Sequence, residues 1–126
     1  MADQWEEATR KLIRLTEAGE LNWANDHALA DRRQDDMPVV GPAYTAEASG
    51  KRISVFEVRN LHWDEDGHLL PWTGTNVVIE FVDENGETEW VWPSPKGRYE
   101  LLEAIRYQQS NAGTFLESFL ATESSA

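Results

Sequence analysis

Residues 75–93, TNVVIEFVDENGETEWVWP, decide the fold, because they read as two β-strands joined by a turn. The pair Asn85-Gly86 predicts a two-residue type I′ turn, in which both central positions need a positive φ. In this register Glu84 lies directly opposite Glu87, an arrangement of like charges that costs stability unless water, a cation or a basic partner relieves it. The stretch therefore predicts an antiparallel hairpin with a charged tip.

The same register predicts two different faces for this hairpin, because side chains alternate along a strand. Phe81 faces Trp90, and Ile79 faces Trp92. One face is apolar and is predicted to belong to the core: Val77, Ile79, Phe81, Trp90 and Trp92. The other face mixes acids with valines and is predicted to face solvent: Glu80, Glu84, Glu87, Glu89, Val78, Val82 and Val91.

A second hairpin precedes the first, in PAYTAEASGKRISVFEV at residues 42–58. Ser49-Gly50 predicts another two-residue turn, and it places Glu47 opposite Arg52. The register again separates an apolar face, made of Tyr44, Ala46, Ile53 and Val55. Two consecutive hairpins predict a four-stranded antiparallel meander.

Helices are predicted on both sides of these hairpins. Residues 3–18 carry apolar side chains at helical spacing, and Gly19 occupies a helix C-terminal position. Residues 24–41 show no sustained period, and we expect a mobile loop with at most one helical turn. A helix is predicted from Ser94-Pro95 to Asn111, with a second, short helix opened by the capping pattern of Thr114 and Glu117.

The order of elements indicates an α+β fold in one domain, residues 1–126. It has an N-terminal helix, a four-stranded antiparallel meander and two C-terminal helices packed on one face of the sheet, with a frayed tail at residues 121–126. A chain of 126 residues can bury a core of its own.

Composition restricts the function. The net charge is −12, and residues 61–92 hold eight carboxylates and no Lys or Arg, so direct nucleic-acid binding is not expected. The absence of cysteine excludes disulfides, thiolate metal sites and Cys nucleophiles. The N-terminus lacks the pattern of a signal peptide and no stretch resembles a membrane span, which favours a cytoplasmic protein without membrane contact.

The segment RNLHWDEDGHLLPW, residues 59–72, is the densest group of potential ligands. As a calcium loop it lacks the strongest ligands, because His62 and not an acid would occupy its first position. Asp83 and Asn85 repeat the same partial match before Gly86. We interpret both segments as Asp-rich turns and expect no metal and no cofactor. The alternative is a transition-metal site, with the candidate ligands His62, Asp64, Asp66 and His68.

Catalysis has little support in the sequence. The motifs of serine hydrolases, phosphate-binding loops and dinucleotide-binding folds are absent, and no residue is proposed as catalytic. A site assembled in three dimensions would escape such motifs, so enzymatic activity stays open, although a non-enzyme is favoured. The enzyme alternative is a metal-dependent activity centred on the loop from His62 to His68.

Trp63 and Trp72 bracket the acidic loop and resemble the aromatic anchors of a protein interface, or else pack on a folded-back loop. The favoured hypothesis is a non-catalytic protein-interaction module that binds a basic protein or itself. Its candidate binding residues are Trp63, Asp64, Glu65, Asp66, Trp72, Glu80, Glu84, Glu87 and Glu89. A further alternative is an acidic mimic of nucleic acid that inhibits a DNA-binding protein, since residues two apart on a strand are spaced roughly like successive phosphates.

Several segments also resemble a loose set of uncharacterised small bacterial proteins. The chain contains LTEAGELNW at residues 15–23, FVDENGETEWVWP at 81–93 and LLEAIRYQ at 101–108. Those proteins share a helix, a Thr-x-x-Gly-x-Leu-x-Trp turn, an antiparallel meander and a closing helix. The resemblance implies this fold and carries no activity.

Overall fold

The computed structural model describes residues 4–33, 38–60, 63–68 and 74–124. They form an α+β fold with four helices and one antiparallel sheet of five strands. In chain order the elements are α1 (Gln4–Glu17), β1 (Ala24–Asn25), α2 (His27–Arg33), β2 (Val39–Ala48), β3 (Lys51–Arg59), β4 (Thr75–Val82), β5 (Thr88–Val91), α3 (Arg98–Ser110) and α4 (Ala112–Ser124).

The sheet is a meander in which each strand pairs with the next, β1 to β5. The prediction of four strands was therefore wrong by one. The additional strand, β1, pairs Ala24 with Thr45 and Asn25 with Tyr44. Two residues are too few to show the alternation by which a strand is recognised in a sequence.

Residues 24–41 were predicted as a loop, but they contain β1, α2 and the start of β2. Asp26 begins α2 by accepting a hydrogen bond from the Leu29 backbone N–H on its side-chain oxygen at 3.0 Å. Leu29 is completely buried. The mobility proposed for this segment stays a prediction.

The main core lies between the sheet and the two helices α1 and α3. Leu12 contributes from α1, and Leu101, Leu102 and Ile105 contribute from α3. The predicted apolar face of the first hairpin is confirmed, because its four residues are all buried in this core: Tyr44, Ala46, Ile53 and Val55. Val77, Ile79 and Trp92 are buried in it as well, with Phe81 partly buried against them.

A second core covers the opposite face of the sheet. It contains Leu29 of α2 and these buried residues of the strands: Val39, Ala43, Phe56, Val58 and Val82. Two parts of the predicted arrangement were therefore wrong. Helices lie on both faces of the sheet, and the face that carries Val78, Glu80 and Val82 is covered where it had been expected to meet solvent.

The two predicted hairpin turns had different outcomes. The Ser49-Gly50 turn is confirmed, because both residues have positive φ and Ala48 pairs with Lys51. At the other turn the Asp83 N–H donates to the Glu87 carbonyl at 2.9 Å, which leaves three residues in the turn instead of two. Phe81 does face Trp90, but Val82 faces Thr88, so a bulge at Glu89 absorbs the extra residue. Glu84 consequently does not lie opposite Glu87.

The Thr-x-x-Gly-x-Leu-x-Trp segment fixes the end of α1. Gly19 has φ +76° and closes the helix, while Leu21 and Trp23 are buried. The Trp23 indole N–H donates to the Thr16 hydroxyl at 2.9 Å. Gln108 of α3 accepts from the Trp23 backbone N–H at 3.0 Å and donates to the Leu21 carbonyl at 2.8 Å. The motif is structural, since its polar groups connect α1 to α3.

The two C-terminal helices are confirmed, with different starting points. α3 begins at Arg98, and α4 begins at Ala112, directly after Asn111, whose φ of +58° turns the chain. Thr114 therefore lies inside α4 and does not cap it. The prediction that both of these helices pack on the sheet was wrong for α4, which packs on α3 and contributes no described residue to either core. Among the described residues, no helix combines the length and the apolar character that a membrane span requires.

Candidate interaction surfaces

The acidic turn, residues 64–68, is a tight hairpin organised by one carboxylate. The Asp64 Oδ1 atom accepts hydrogen bonds from the backbone N–H groups of Asp66 at 2.9 Å and His68 at 2.8 Å. The Asp64 N–H donates to the His68 carbonyl at 2.9 Å, and Gly67 supplies the positive φ of +84° that returns the chain. The carboxylate thus satisfies backbone donors that a three-residue turn leaves unpaired.

The turn between β4 and β5 has the same construction. Asp83 Oδ1 accepts from the N–H groups of Asn85 and Glu87, both at 2.9 Å, and Gly86 has φ +83°. The sequences Asp-Glu-Asp-Gly and Asp-Glu-Asn-Gly therefore build one kind of turn at two places. This common geometry explains both partial matches to a calcium loop without an ion.

The candidate metal ligands are only partly brought together. Asp64, Asp66 and His68 offer ligand atoms within 4.8 Å of one another, and all three side chains are exposed. His68 Nδ1 lies 3.6 Å from Asp64 Oδ2, while Asp64 Oδ1 already accepts two backbone hydrogen bonds. His62 lies outside the described residues. The hydrogen bonds of the turn are sufficient to explain why these groups lie close together.

The four acids predicted to share a sheet face are separated in the structure. Glu80 is only 3% exposed and accepts a hydrogen bond from the Thr88 hydroxyl at 3.1 Å. Glu84 and Glu87 are exposed at the turn, and Glu89 forms an ion pair with Lys51 at 3.1 Å. Within the described part of the chain these acids do not form one continuous acidic surface.

The tryptophans also divide between core and surface. Trp63 is 59% exposed, as expected for an anchor, with Glu65 and Asp66 exposed beside it, while Trp72 lies outside the described residues. Trp90 was predicted in the core, but it is 47% exposed at the edge of the sheet. Its ring lies 5.0 Å from that of Trp5, so it extends the core to the surface as part of an aromatic cluster.

A groove of about 330 Å³ lies along β4 and β5. Phe56, Val78 and Val91 supply apolar walls, and the buried Glu80 carboxylate and Thr88 supply polar groups. The sequence did not indicate this groove, because the residues came from a face that was expected to meet solvent.

Four residues of α4 form an exposed apolar row, here called the α4 stripe: Phe115, Leu116, Phe119 and Leu120. They are 46–60% exposed, and the rings of Phe115 and Phe119 stack with centroids 5.3 Å apart. Every side chain from residue 114 to 122 is exposed. The sequence does indicate an apolar helix face here, since these residues recur at i, i+1, i+4 and i+5. Such a face is ordinarily assigned to the core.

One ion pair connects the sheet to α3. The Arg106 guanidinium donates to Glu57 at 2.8 Å and to Glu103 at 3.1 Å. The hydrogen bond from Arg106 lowers the pKa of the Glu57 carboxyl, with a smaller contribution from Thr75, while burial opposes the shift. The pKa of Arg106 is raised, first because it donates to Glu57. This pair is a structural link between two elements.

Among these described surfaces, the α4 stripe brings four large, exposed apolar side chains together on one helix. Comparison of the chain with protein-family models, with curated proteins and with solved structures found no match.

Proposed function

We propose that this chain is a small, acidic, cytoplasmic and non-catalytic protein-interaction module. The α4 stripe is the observation that carries the proposal. A helix of 13 residues places four large apolar side chains together on its surface, and none of the four enters a core of the described chain. Scattered exposed apolar residues are ordinary, whereas a contiguous row on one helix is typical of an interaction site.

The energetics of α4 support the same conclusion. Isolated helices of this length are marginal in water, because the first turn is costly and each later residue adds little. Most helices gain their stability by burying an apolar face, whereas the four large apolar side chains of α4 stay about half exposed on the described chain. A partner that covers the stripe would both remove apolar area from water and stabilise the helix.

The acidic turn is a second surface that suits a partner of opposite charge. Trp63, Glu65 and Asp66 are exposed together, and residues 61–92 contain no Lys or Arg that would neutralise them. An aromatic side chain beside carboxylates suits a basic protein surface. The nucleic-acid mimic has less support, because Glu80 is buried and Glu89 is paired with Lys51.

The proposal is tested by site-specific photo-crosslinking in cells that produce the protein. A photoreactive residue at Leu116 is expected to give a discrete crosslinked product. The matched control carries it at Ala121, which is exposed and lies on the opposite side of α4 at about 100° per residue. The Leu116 product should disappear when Phe119→Ser is added. Equal, diffuse labelling from both positions would contradict an interface on the α4 stripe.

A further inference from the structure

We propose that the α4 stripe binds a second copy of this chain, so that two α4 helices pair in antiparallel fashion about a two-fold axis. This rests on the proposed function, since it names the partner of the same surface. Three observations carry it: the charge distribution, the order of residues along the stripe and the apolar area that the stripe exposes.

The charge distribution favours contact between two copies through the C-terminal part of the chain, which contains α4. Residues 93–126 contain three basic and four acidic residues, so they hold −1 of the net charge of −12. Two copies that meet through α4 therefore bring together their nearly neutral parts, whereas contact through residues 61–92 would bring together two segments that hold eight carboxylates each and no Lys or Arg. Only some of these carboxylates are buried or paired. Within the stripe itself no residue is charged.

The same charges disfavour a membrane as the occupant. Residues 107–126 contain no Lys or Arg and two Glu. Helices that lie on membrane surfaces ordinarily use basic residues to bind anionic headgroups, and a chain of this net charge is repelled by them. The stripe is therefore better suited to a protein surface than to a lipid one.

The order of residues makes the stripe complementary to itself. In an antiparallel pair centred between residues 117 and 118, Phe115 faces Leu120 of the second copy and Leu116 faces Phe119 of the second copy. Each contact matches an aromatic ring with a branched aliphatic side chain, and both occur twice because the interface is two-fold symmetric. Rows four residues apart are also the ridges that helices use to pack against each other.

The exposed area is sufficient for a weak dimer. With side chains of about 200 Å² each and roughly half of that exposed, the stripe offers on the order of 400 Å² per copy. Tyr107 extends this surface, because its side chain is exposed. Its hydroxyl lies 3.6 Å from the point that a Cβ atom added to Gly113 would occupy. Gly113 lies on the same side of α4 as Leu116 and Leu120. Two copies together offer about 800 Å² from the stripe and roughly 1,000 Å² with Tyr107, which is below the ~1,200 Å² of standard specific interfaces and within the range of weak, transient ones, so we expect a reversible dimer of micromolar or weaker Kd.

The test measures the mass of the purified chain by sedimentation equilibrium over a wide concentration range. We expect a monomer–dimer equilibrium for the wild type. Phe119→Ser should increase Kd about a hundredfold, because the substitution is present in both copies and so removes both symmetric contacts between Phe119 and Leu116. Ala121→Ser, on the opposite side of α4, is the control and should leave Kd within about twofold. Far-UV circular dichroism verifies that the variants are folded.

A charge-exchange experiment tests the register. Leu116→Lys and Phe119→Glu should each prevent self-association. Mixing the two variants should restore a heterodimer, because the ammonium introduced at position 116 of one variant would face the carboxylate introduced at position 119 of the other. A wild-type chain that stays monomeric at about 1 mM, or a dimer unaffected by Phe119→Ser, would overturn the self-pairing. A monomer that still gives the Leu116 crosslink to another protein in cells would leave the interaction module intact and reject only the second copy as its partner.

Discussion

At the scale of single residues, Gln108 has the most consequential hydrogen bonds. Its side chain accepts from the Trp23 N–H and donates to the carbonyls of Leu21 and Thr16. It therefore contacts one backbone group in the last turn of α1 and two in the segment that follows it. Because these groups are partly buried, water replaces the lost partner poorly.

Gln108→Ala is expected to lower the free energy of unfolding by about 2 kcal/mol, since it removes the side-chain partner of the Trp23 N–H and the Leu21 carbonyl, while the Thr16 carbonyl still accepts from the Gly19 N–H. Urea denaturation measures the change. Gln109→Ala is the matched control, because Gln109 donates one hydrogen bond, to the Trp23 carbonyl, and should cost about 1 kcal/mol or less. Equal losses for the two variants would contradict the central role of Gln108.

The Glu57–Arg106 pair predicts a pH dependence. The pKa of Glu57 is lowered from its ordinary value of 4.5, so the pair stabilises the fold fully above that value and stops doing so as the pH falls through the lowered pKa. Glu57→Gln should reduce the free energy of unfolding by roughly 1 kcal/mol at neutral pH. The difference from the wild type should shrink in acid, as followed by urea denaturation at several pH values.

Glu103→Gln serves as the control for this experiment. Glu103 contacts the same guanidinium but its side chain is 72% exposed, so its removal should change stability by no more than a few tenths of a kcal/mol. A Glu57→Gln effect that persists unchanged in acid would mean that the carboxylate charge is not what stabilises this contact.

At the scale of elements, the two Asp-centred turns have equal geometry and unequal surroundings. Asp83 joins β4 to β5, which leads into the buried Trp92, whereas all side chains of residues 63–68 are exposed. The same pair of hydrogen bonds should therefore matter more for global stability at Asp83 than at Asp64.

Asp83→Ala is expected to lower the free energy of unfolding by about 1 kcal/mol, and Asp64→Ala by a few tenths, because the described residues of the Asp64 turn, 63–68, are all exposed. Asp83→Asn should retain most of the stability, since an amide oxygen accepts the same two hydrogen bonds. Thermal and urea unfolding check both expectations. An Asn variant as unstable as the Ala variant would show that the acceptor at this position is not the important feature.

Elements with a regular pattern were predictable from the sequence, and short or locally capped ones were not. The alternation around Ser49-Gly50 predicted its register, whereas α2 spans only two turns, and among its residues of described burial only Leu29 is fully buried. The available signal for α2 was Asp26, an N-cap residue three positions before Leu29. The repeated Asp-x-Asn/Asp-Gly pattern was likewise an available signal for a three-residue turn, which the prediction of a two-residue turn did not use. Its aspartate accepts hydrogen bonds from the backbone N–H groups that follow it.

At the scale of the whole molecule, the second core explains why the acidic face was predicted wrongly. The runs ISVFEV and NVVIEFV are nearly continuous in apolar residues, a pattern typical of strands buried on both faces. The alternation of side chains was used to assign only one face of each strand to the core, so Phe56 and Val82 were not expected in a second core. Their burial requires long-range packing with α2, which local sequence does not specify.

The candidate binding residues were predictable only where exposure follows from local structure. The acids of the turn are exposed because turns project into solvent, and Trp63 is exposed as the anchor alternative, and not the folded-back loop, requires. Glu80 was wrongly expected at the surface, because its burial depends on neighbouring strands. The α4 stripe was read as a packing surface, since periodicity reveals an apolar face and does not reveal whether the chain itself covers that face.

The charge of the whole chain predicts how salt affects self-association. Two copies of net charge −12 repel each other, and α4 pairing is apolar, so raising salt from about 0.05 to about 0.5 M should lower the dimer Kd several-fold. Binding of a basic protein to the acidic turn should weaken over the same range. Sedimentation at both salt concentrations tests this; a dimer that dissociates as salt rises would contradict an apolar interface.

The two outer strands of the described sheet have a consequence for how the protein resists aggregation. β1 has two residues, and β5 has four and is interrupted by the bulge at Glu89. Strands this short and irregular offer few free backbone groups in a straight row, so they are poor templates for adding strands from another molecule. Growth into fibrils by strand addition is therefore disfavoured at these two strands, which is consistent with the proposed association through helices.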